Sequence, residues 1–261
     1  MIVCKSAAEL ARMRAANALV ADVLAELREM VRPGVTTADL DQLAERRVRA
    51  AGAVPAFKGY HGFPATLCTS VNEEVIHGIP SARALSGGDI VSIDLGVLLD
   101  GFYGDAAITV PLAPIDSRVA ELLRVTEESL FRGIEQARVG ARVSDIGHAV
   151  QQHVEAHGFS VVREFVGHGV GTALHEEPQV PNYGPAGRGP RLAEGMTLAI
   201  EPMVAMGRGA VKVLRDGWTA VTKDHSLAAH FEHTVAVTAG GPVIMTVRNG
   251  AAGQASRGDA T

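Results

Sequence analysis

Residues 89 to 110 read DIVSIDLGVLLDGFYGDAAITV, and this stretch narrows the choice of fold more than any other. Aliphatic and β-branched residues run on both sides of Asp100-Gly101. That dipeptide favours a two-residue type I′ hairpin turn, because both of its positions need a positive φ. A two-residue turn there places residue 94 opposite 107 and residue 96 opposite 105. Asp94 and Asp105 therefore point to the same face, on diagonal positions about 7–8 Å apart at the backbone. An isolated pair of aspartates is more often turn or solvated strand chemistry. Here the neighbours Val91, Ile93, Leu95, Ala107 and Ile108 are apolar, which predicts covered strands and carboxylates in need of cations.

Helices are expected around this hairpin. Ser6-Ala-Ala-Glu9 spells a capping box. Leu10, Met13, Leu19, Val20, Val23, Leu24, Leu27 and Val31 then form a helical stripe that ends before Pro33-Gly34. A second helix is expected from about Thr37 to Gly52, a third over roughly 116–137, and a fourth from a cap at Ser144 to Gly158. Most of 161–247 reads as strands broken by Gly and Pro turns. No linker divides the chain. The expectation is α+β: one domain over 1–247, with helices covering one face of a largely antiparallel sheet. The small, polar stretch 248–261 is expected to be a flexible tail.

More chemistry stands in the second half. Gly167-His168-Gly169-Val170-Gly171 leaves room for close backbone approach to an imidazole, and His175 follows seven residues later in Leu174-His175-Glu176-Glu177-Pro178. A lone histidine is more often structural than a ligand; this pair is harder to dismiss. Glu201 in AIEPM and Glu232 in FEHTVAV each put a carboxylate inside an apolar strand. Buried without a cation or a strong donor, such a group is expensive. Four carboxylates and one imidazole around one cavity have the composition of a binuclear metal site. Mixed oxygen and nitrogen donors favour Mn, Fe, Co or Zn over calcium.

Several classes of function are excluded. Lys and Arg number 24 against 29 Asp and Glu, a net charge of −5, with no basic stripe to bind a phosphate backbone. Nucleic acid is not an expected partner, and neither is a membrane, because no run approaches the roughly 18 apolar residues of a spanning helix. The two cysteines, Cys4 and Cys68, cannot build a disulfide framework, and MIVCKS leads into a helix without a signal core. A cytoplasmic location is expected.

Together, GYHGFPATLCTSVNEEVIHGIP (Gly59 to Pro80), IDLG…GFYGDAA, GHGVG…LHEEP, AIEPM and FEHTVAVT resemble the type I methionine aminopeptidases. The motifs span roughly Phe57 to Val237 in matching order, and five separated motifs agreeing at once is highly specific. The resemblance implies the pita-bread fold, with two pseudo-symmetric halves around a dimetal centre. It makes Asp94, Asp105, His168, Glu201 and Glu232 the ligands of two divalent ions. Asp105 and Glu232 would bridge both, Asp94 would hold one, and His168 with Glu201 the other. His77 and His175 match the non-ligand catalytic histidines, and Glu201 is implied as the proton carrier. Tyr60, Phe63, Cys68 and Trp218 match the methionine pocket, completed by Phe57 and Leu174, where well-known bacterial members carry other side chains.

The implied activity is removal of the N-terminal methionine from nascent proteins and peptides, with a small second residue preferred. A monomer is the expected state, and contact with the ribosome is left open. Cys68 reads equally well as a small buried hydrophobe, and Trp218 also suits a core anchor. His148, His153 and His157 fall on a polar helix stretch and are expected to be solvated; His61, His225, His230 and His233 read as structural. The nearest rival, a prolidase or aminopeptidase P, usually carries a large N-terminal domain, whereas about 55 residues precede the first motif here. A type II methionine aminopeptidase needs a late helical insertion, and the 33 residues from His168 to Glu201 and 31 from Glu201 to Glu232 leave no space for it. A non-catalytic binding module on this fold typically loses ligands, and all five are present.

Overall fold

The hairpin forms in the expected register. Asp94 lies opposite Ala107 and Asp105 opposite Gly96, and the turn residues Asp100 and Gly101 have φ of 50° and 79°, as a type I′ turn requires. This is a computed structural model, which describes residues 1–248; the polar tail expected at the C-terminus lies, from 249 on, outside the described residues.

Among the described residues, four α-helices cover the sheet: α1 (Ala7–Met30), α2 (Thr37–Ala50), α3 (Ser117–Glu135) and α4 (Val143–Ala156). α1 starts at the expected Ser6/Glu9 capping box, and Thr36 with Asp39 makes a second one for α2. α4 is capped at Arg142, two residues before the Ser144 cap that its sequence suggests. Asp145 accepts from the Arg142 backbone N–H, while the Ser144 hydroxyl accepts from Arg188 N–H and so ties down a neighbouring loop.

The main sheet is antiparallel and has nine strands among the described residues: β1 (Val54–Pro55), β2 (Leu67–Val71), β3 (Ile90–Leu99), β4 (Phe102–Pro111), β5 (Gly167–Gly169), β6 (Glu176–Val180), β7 (Thr197–Ile200), β8 (Glu232–Thr238) and β9 (Gly241–Ile244). The order across it is β1-β3-β4-β8-β7-β5-β6, with β2 also paired to β3 and β9 to β8. β4 and β8 meet at the middle, where Glu232 pairs with Ala107.

Each half has its own apolar core, which is the pseudo-symmetry expected of the chain. In the first, Val20, Leu24 and Leu27 of α1 and Leu40 and Val48 of α2 pack on Ile93, Leu95 and Val97 of β3. In the second, Leu122, Leu130 and Ile134 of α3 and Ile146 and Val150 of α4 pack on Leu198, Ile200, Val235 and Val237. Both helix pairs leave the opposite face of the sheet free to carry the polar residues.

α1 lies so close to β4 that a side chain at Gly104 has no room. A Cβ there would stand 2.8 Å from Asn17 N and 2.9 Å from Ala16 C, both backbone atoms of α1. Backbone yields less readily than a flexible side chain, so Gly104→Ala is expected to cost about 1–3 kcal/mol. Equilibrium urea unfolding measures it; an unchanged midpoint would mean that α1 tolerates displacement from the strand.

Candidate active site

Strand pairing alone assembles the acidic cluster. Cys68 of β2 pairs with Asp94 of β3, Asp94 with Ala107 of β4, and Ala107 with Glu232 of β8. Directly opposed residues share a face, so Cys68, Asp94 and Glu232 stand in one row, and Asp105, two residues before Ala107, joins them. His233 pairs with Ile200, which leaves Glu201 and Glu232, each one residue away, side by side on the other face. His168 comes from β5, opposite Ala199. Its Nε2 is 3.5 Å from Glu201 Oε1 and 4.0 Å from Asp105 Oδ2.

All five residues are buried. Donor atoms of Asp105, His168 and Glu232 lie within 4.8 Å of one another. Asp94 Oδ1, Asp105 Oδ1 and Glu232 Oε1 have no hydrogen-bond partner among the described residues. Buried acceptors in that state are costly. Burial pushes the Asp94 carboxyl up to about 7. Asp105, Glu201 and Glu232 are pushed well above the ordinary range, by burial first and by neighbouring carboxylates second. Among the described residues, no lysine or arginine sits beside them to neutralise the group, as two divalent cations would.

His168 turns one ring nitrogen toward the carboxylates. Its Nδ1 is 2.9 Å from the Gly169 carbonyl oxygen, which only accepts, so Nδ1 carries the proton and Nε2 turns a lone pair toward the carboxylates. Burial holds this imidazole at about 4, so it stays neutral. Asn182 anchors the neighbouring strand end through Nδ2 to the Glu201 carbonyl, at 3.0 Å.

A cavity of about 320 Å³ opens onto this cluster, and its walls include Phe57, Tyr60, Phe63, Cys68, His77, Leu174, His175 and Trp218. Every residue that the resemblance implies for the pocket therefore lines this cavity. Trp218 packs edge-on against Phe63, with ring centroids 5.1 Å apart. Phe57 reaches in because position 96 is glycine; a Cβ there would meet its ring at 2.5 Å. His77 stands edge-on to Phe165 at 5.5 Å, and burial lowers it to about 4. His175 has its ring centroid 4.2 Å from that of His168 and its Nδ1 2.7 Å from Tyr60 Oη. It too is lowered by burial.

Several neighbours escaped the sequence reading. Glu164, Phe165 and Val166 line the cavity, and the signal for them is their position directly before the GHGVG motif. His230 is buried, with Nε2 unpartnered among the described residues and 3.8 Å from Glu201 Oε2. His148, His153 and His157 are not simply solvated: all three are half-buried, bonded to Gly184 O, Glu128 Oε2 and His153 O at 3.0, 2.9 and 2.8 Å. His233 is bonded to Thr246 Oγ1 at 2.7 Å, a structural role as expected.

The profile of Metallopeptidase family M24 matches residues 11–239. The chain is 54% identical over 246 residues to methionine aminopeptidase 1 of Bacillus subtilis, covering 94% of this chain and 99% of that protein. It is 53% identical over 248 residues to the methionine aminopeptidase of Clostridium acetobutylicum, covering 95% and 99%. The crystal structure of methionine aminopeptidase from Thermotoga maritima matches with a TM-score of 0.93 at 47% identity, over 95% of this chain and all (100%) of that one. The prolidase from Pyrococcus furiosus matches with a TM-score of 0.75 at 21% identity, over 95% of this chain and 66% of that one. At that identity it shares the fold alone.

Proposed function

The chain belongs to metallopeptidase family M24 with the pita-bread fold, and on that premise we propose that it is a hydrolase that removes the N-terminal methionine from peptides and nascent proteins. The observation that carries the reading is the junction of two features. Five buried donor residues, three of them with an orphaned oxygen, line a cavity of about 320 Å³ whose remaining walls are largely aromatic and apolar.

Asp94, Asp105, His168, Glu201 and Glu232 would hold two divalent cations of the Mn, Fe, Co or Zn kind. When bound, such cations supply the charge that makes a water acidic enough to lose its proton near neutral pH. Glu201, at the wall of the cavity, accepts that proton and returns it to the leaving amine. His175 donates a hydrogen bond to the carbonyl oxygen as negative charge develops on it. His77 contacts the scissile amide from the other wall. Phe57, Tyr60, Phe63, Cys68, Leu174 and Trp218 hold the unbranched thioether of methionine, whose sulfur is favoured against aromatic rings.

The acting unit is the single chain, residues 1–247, because every proposed site residue comes from it. Nascent chains arise in the cytoplasm, where we propose that the protein works. Both cysteines are free, which suits a reducing compartment, and no helix among the described residues is long and apolar enough to cross a membrane.

Tripeptides test the reading. Met-Ala and Met-Gly peptides should be cleaved, with large second residues poor. An N-acetylated peptide should survive, since acetylation turns the basic amine into an amide whose nitrogen neither carries a proton charge nor offers its lone pair to a cation. Preferential cleavage of X-Pro peptides would overturn the proposal in favour of a prolidase.

A further inference from the structure

We propose that Tyr60 sets the tautomer of His175, so that its hydroxyl positions a catalytic proton besides walling the pocket. The inference rests on the role proposed for His175 above. Neutral imidazole has one N–H and one lone pair, and what binds one nitrogen decides what the other offers. Tyr60 Oη lies 2.7 Å from Nδ1 of His175. If Nδ1 carried the proton, Nε2 would present a lone pair to the cavity and repel a developing oxyanion. If the phenol donates to Nδ1, Nε2 holds the N–H that such an oxygen needs.

The surroundings favour the second arrangement. Among the described residues, His175 is the one hydrogen-bond partner of the Tyr60 hydroxyl, and donation to Nδ1 is the arrangement that gives that O–H a partner within the chain. Burial raises the phenol above its ordinary range and keeps that proton in place. The backbone on both sides of the contact is held. Tyr60 opens a short 3₁₀ turn, Tyr60–Gly62, in which Gly59, His61 and Gly62 have φ of 89°, 48° and 90°. That turn is pinned by Gly59 N–H to Phe63 O at 2.8 Å and Phe63 N–H to Tyr60 O at 2.9 Å. On the far side, the residue after His175 is clamped. Glu176 pairs with buried Lys5 at 2.5 Å and accepts from the Thr172 and Ala173 N–H groups at 2.8 and 3.2 Å. Tyr60 thus stands on a pinned turn, and His175 stands next to a residue fixed by a buried ion pair.

Tyr60→Phe keeps the ring that walls the pocket and removes only the donor. Its kcat should fall on the order of 10-fold, the scale of one net hydrogen bond, while KM for a Met-Ala peptide stays within about 2-fold. On a His175→Ala background the same substitution should change kcat no further, because its effect runs through the imidazole. In zinc-loaded protein with ¹⁵N-labelled histidine, wild-type His175 should show a protonated Nε2 and an unprotonated Nδ1. Tyr60→Phe should show a mixture. An unchanged spectrum together with an unchanged kcat overturns the proposal, as does an independent loss on the His175→Ala background. If His175→Ala alone kept full kcat, the role assigned to His175 would fall and the catalytic part of this proposal with it. The spectrum would then still report whether Tyr60 selects the tautomer.

Discussion

Treatment with a strong chelator is expected to reduce cleavage of a Met-Ala tripeptide to background, and added Mn, Co or Fe to restore it. The cause lies in the carboxylates. Asp94, Asp105, Glu201 and Glu232 are buried together with three oxygens unpartnered among the described residues and no cationic side chain to balance them. Such an arrangement is tolerable ionised only with divalent charge between the groups. The same logic predicts a stability signature that activity cannot mimic. A carboxyl whose pKa is raised in the folded chain favours folding while it is protonated. That contribution is intact below the unfolded value near 4 and is lost as pH rises through the folded value, about 7 for Asp94. Metal-free protein should therefore melt at a lower temperature at about pH 8 than at about pH 5, and cation binding should raise the melting point most at the higher pH. Full activity in a verified metal-free sample would remove the dimetal reading. A melting point of the metal-free protein that rises across this range would remove the account of the carboxylates.

Much of this site is written in short-range sequence. A two-residue turn at Asp100-Gly101 leaves one register for the hairpin, and the register decides that Asp94 and Asp105 share a face. Glu201 and Glu232 stand out because each interrupts an apolar strand. What remains hidden is what depends on strand order. Nothing local says that Glu232 will lie beside Ala107 rather than at a sheet edge, and that pairing alone joins the two halves of the cluster. The contact of Tyr60 with His175 spans 115 residues. Its only trace in the sequence is a Gly-flanked turn whose strain has no evident purpose until the fold closes. His230 is invisible for another reason. It sits in a small three-stranded sheet, Ser160–Val161, Met203–Ala205 and Ala228–His230, and strands of two or three residues carry too little periodicity to reveal which side faces the site.

His168 and His175 should separate cleanly when each is replaced by alanine, although their rings are only 4.2 Å apart. The difference lies in where each ring is tied. His168 gives its Nδ1 proton to Gly169 O and turns Nε2 toward Glu201 and Asp105, at 3.5 and 4.0 Å; that geometry offers a lone pair to a cation. His175 is held at Nδ1 by Tyr60, 2.7 Å away, and makes no ion pair with any of the four carboxylates within 4.0 Å among the described residues. It can donate to substrate, and binding of metal does not need it. His175→Ala is therefore expected to keep its cation stoichiometry and its melting temperature. Its kcat should drop on the order of 10²–10³, the cost of removing one oxyanion donor. KM should move less, because the bond strengthens only as the carbonyl oxygen gains charge. His168→Ala should instead bind one cation weakly and regain part of its activity as the metal concentration is raised, since the remaining carboxylates still define the site. Calorimetric cation titration beside steady-state kinetics on both variants decides between the roles. Loss of a cation from His175→Ala, with His168→Ala still fully loaded, would reverse the two assignments and would require the Nε2 lone pair of His168 to face a proton donor rather than a metal.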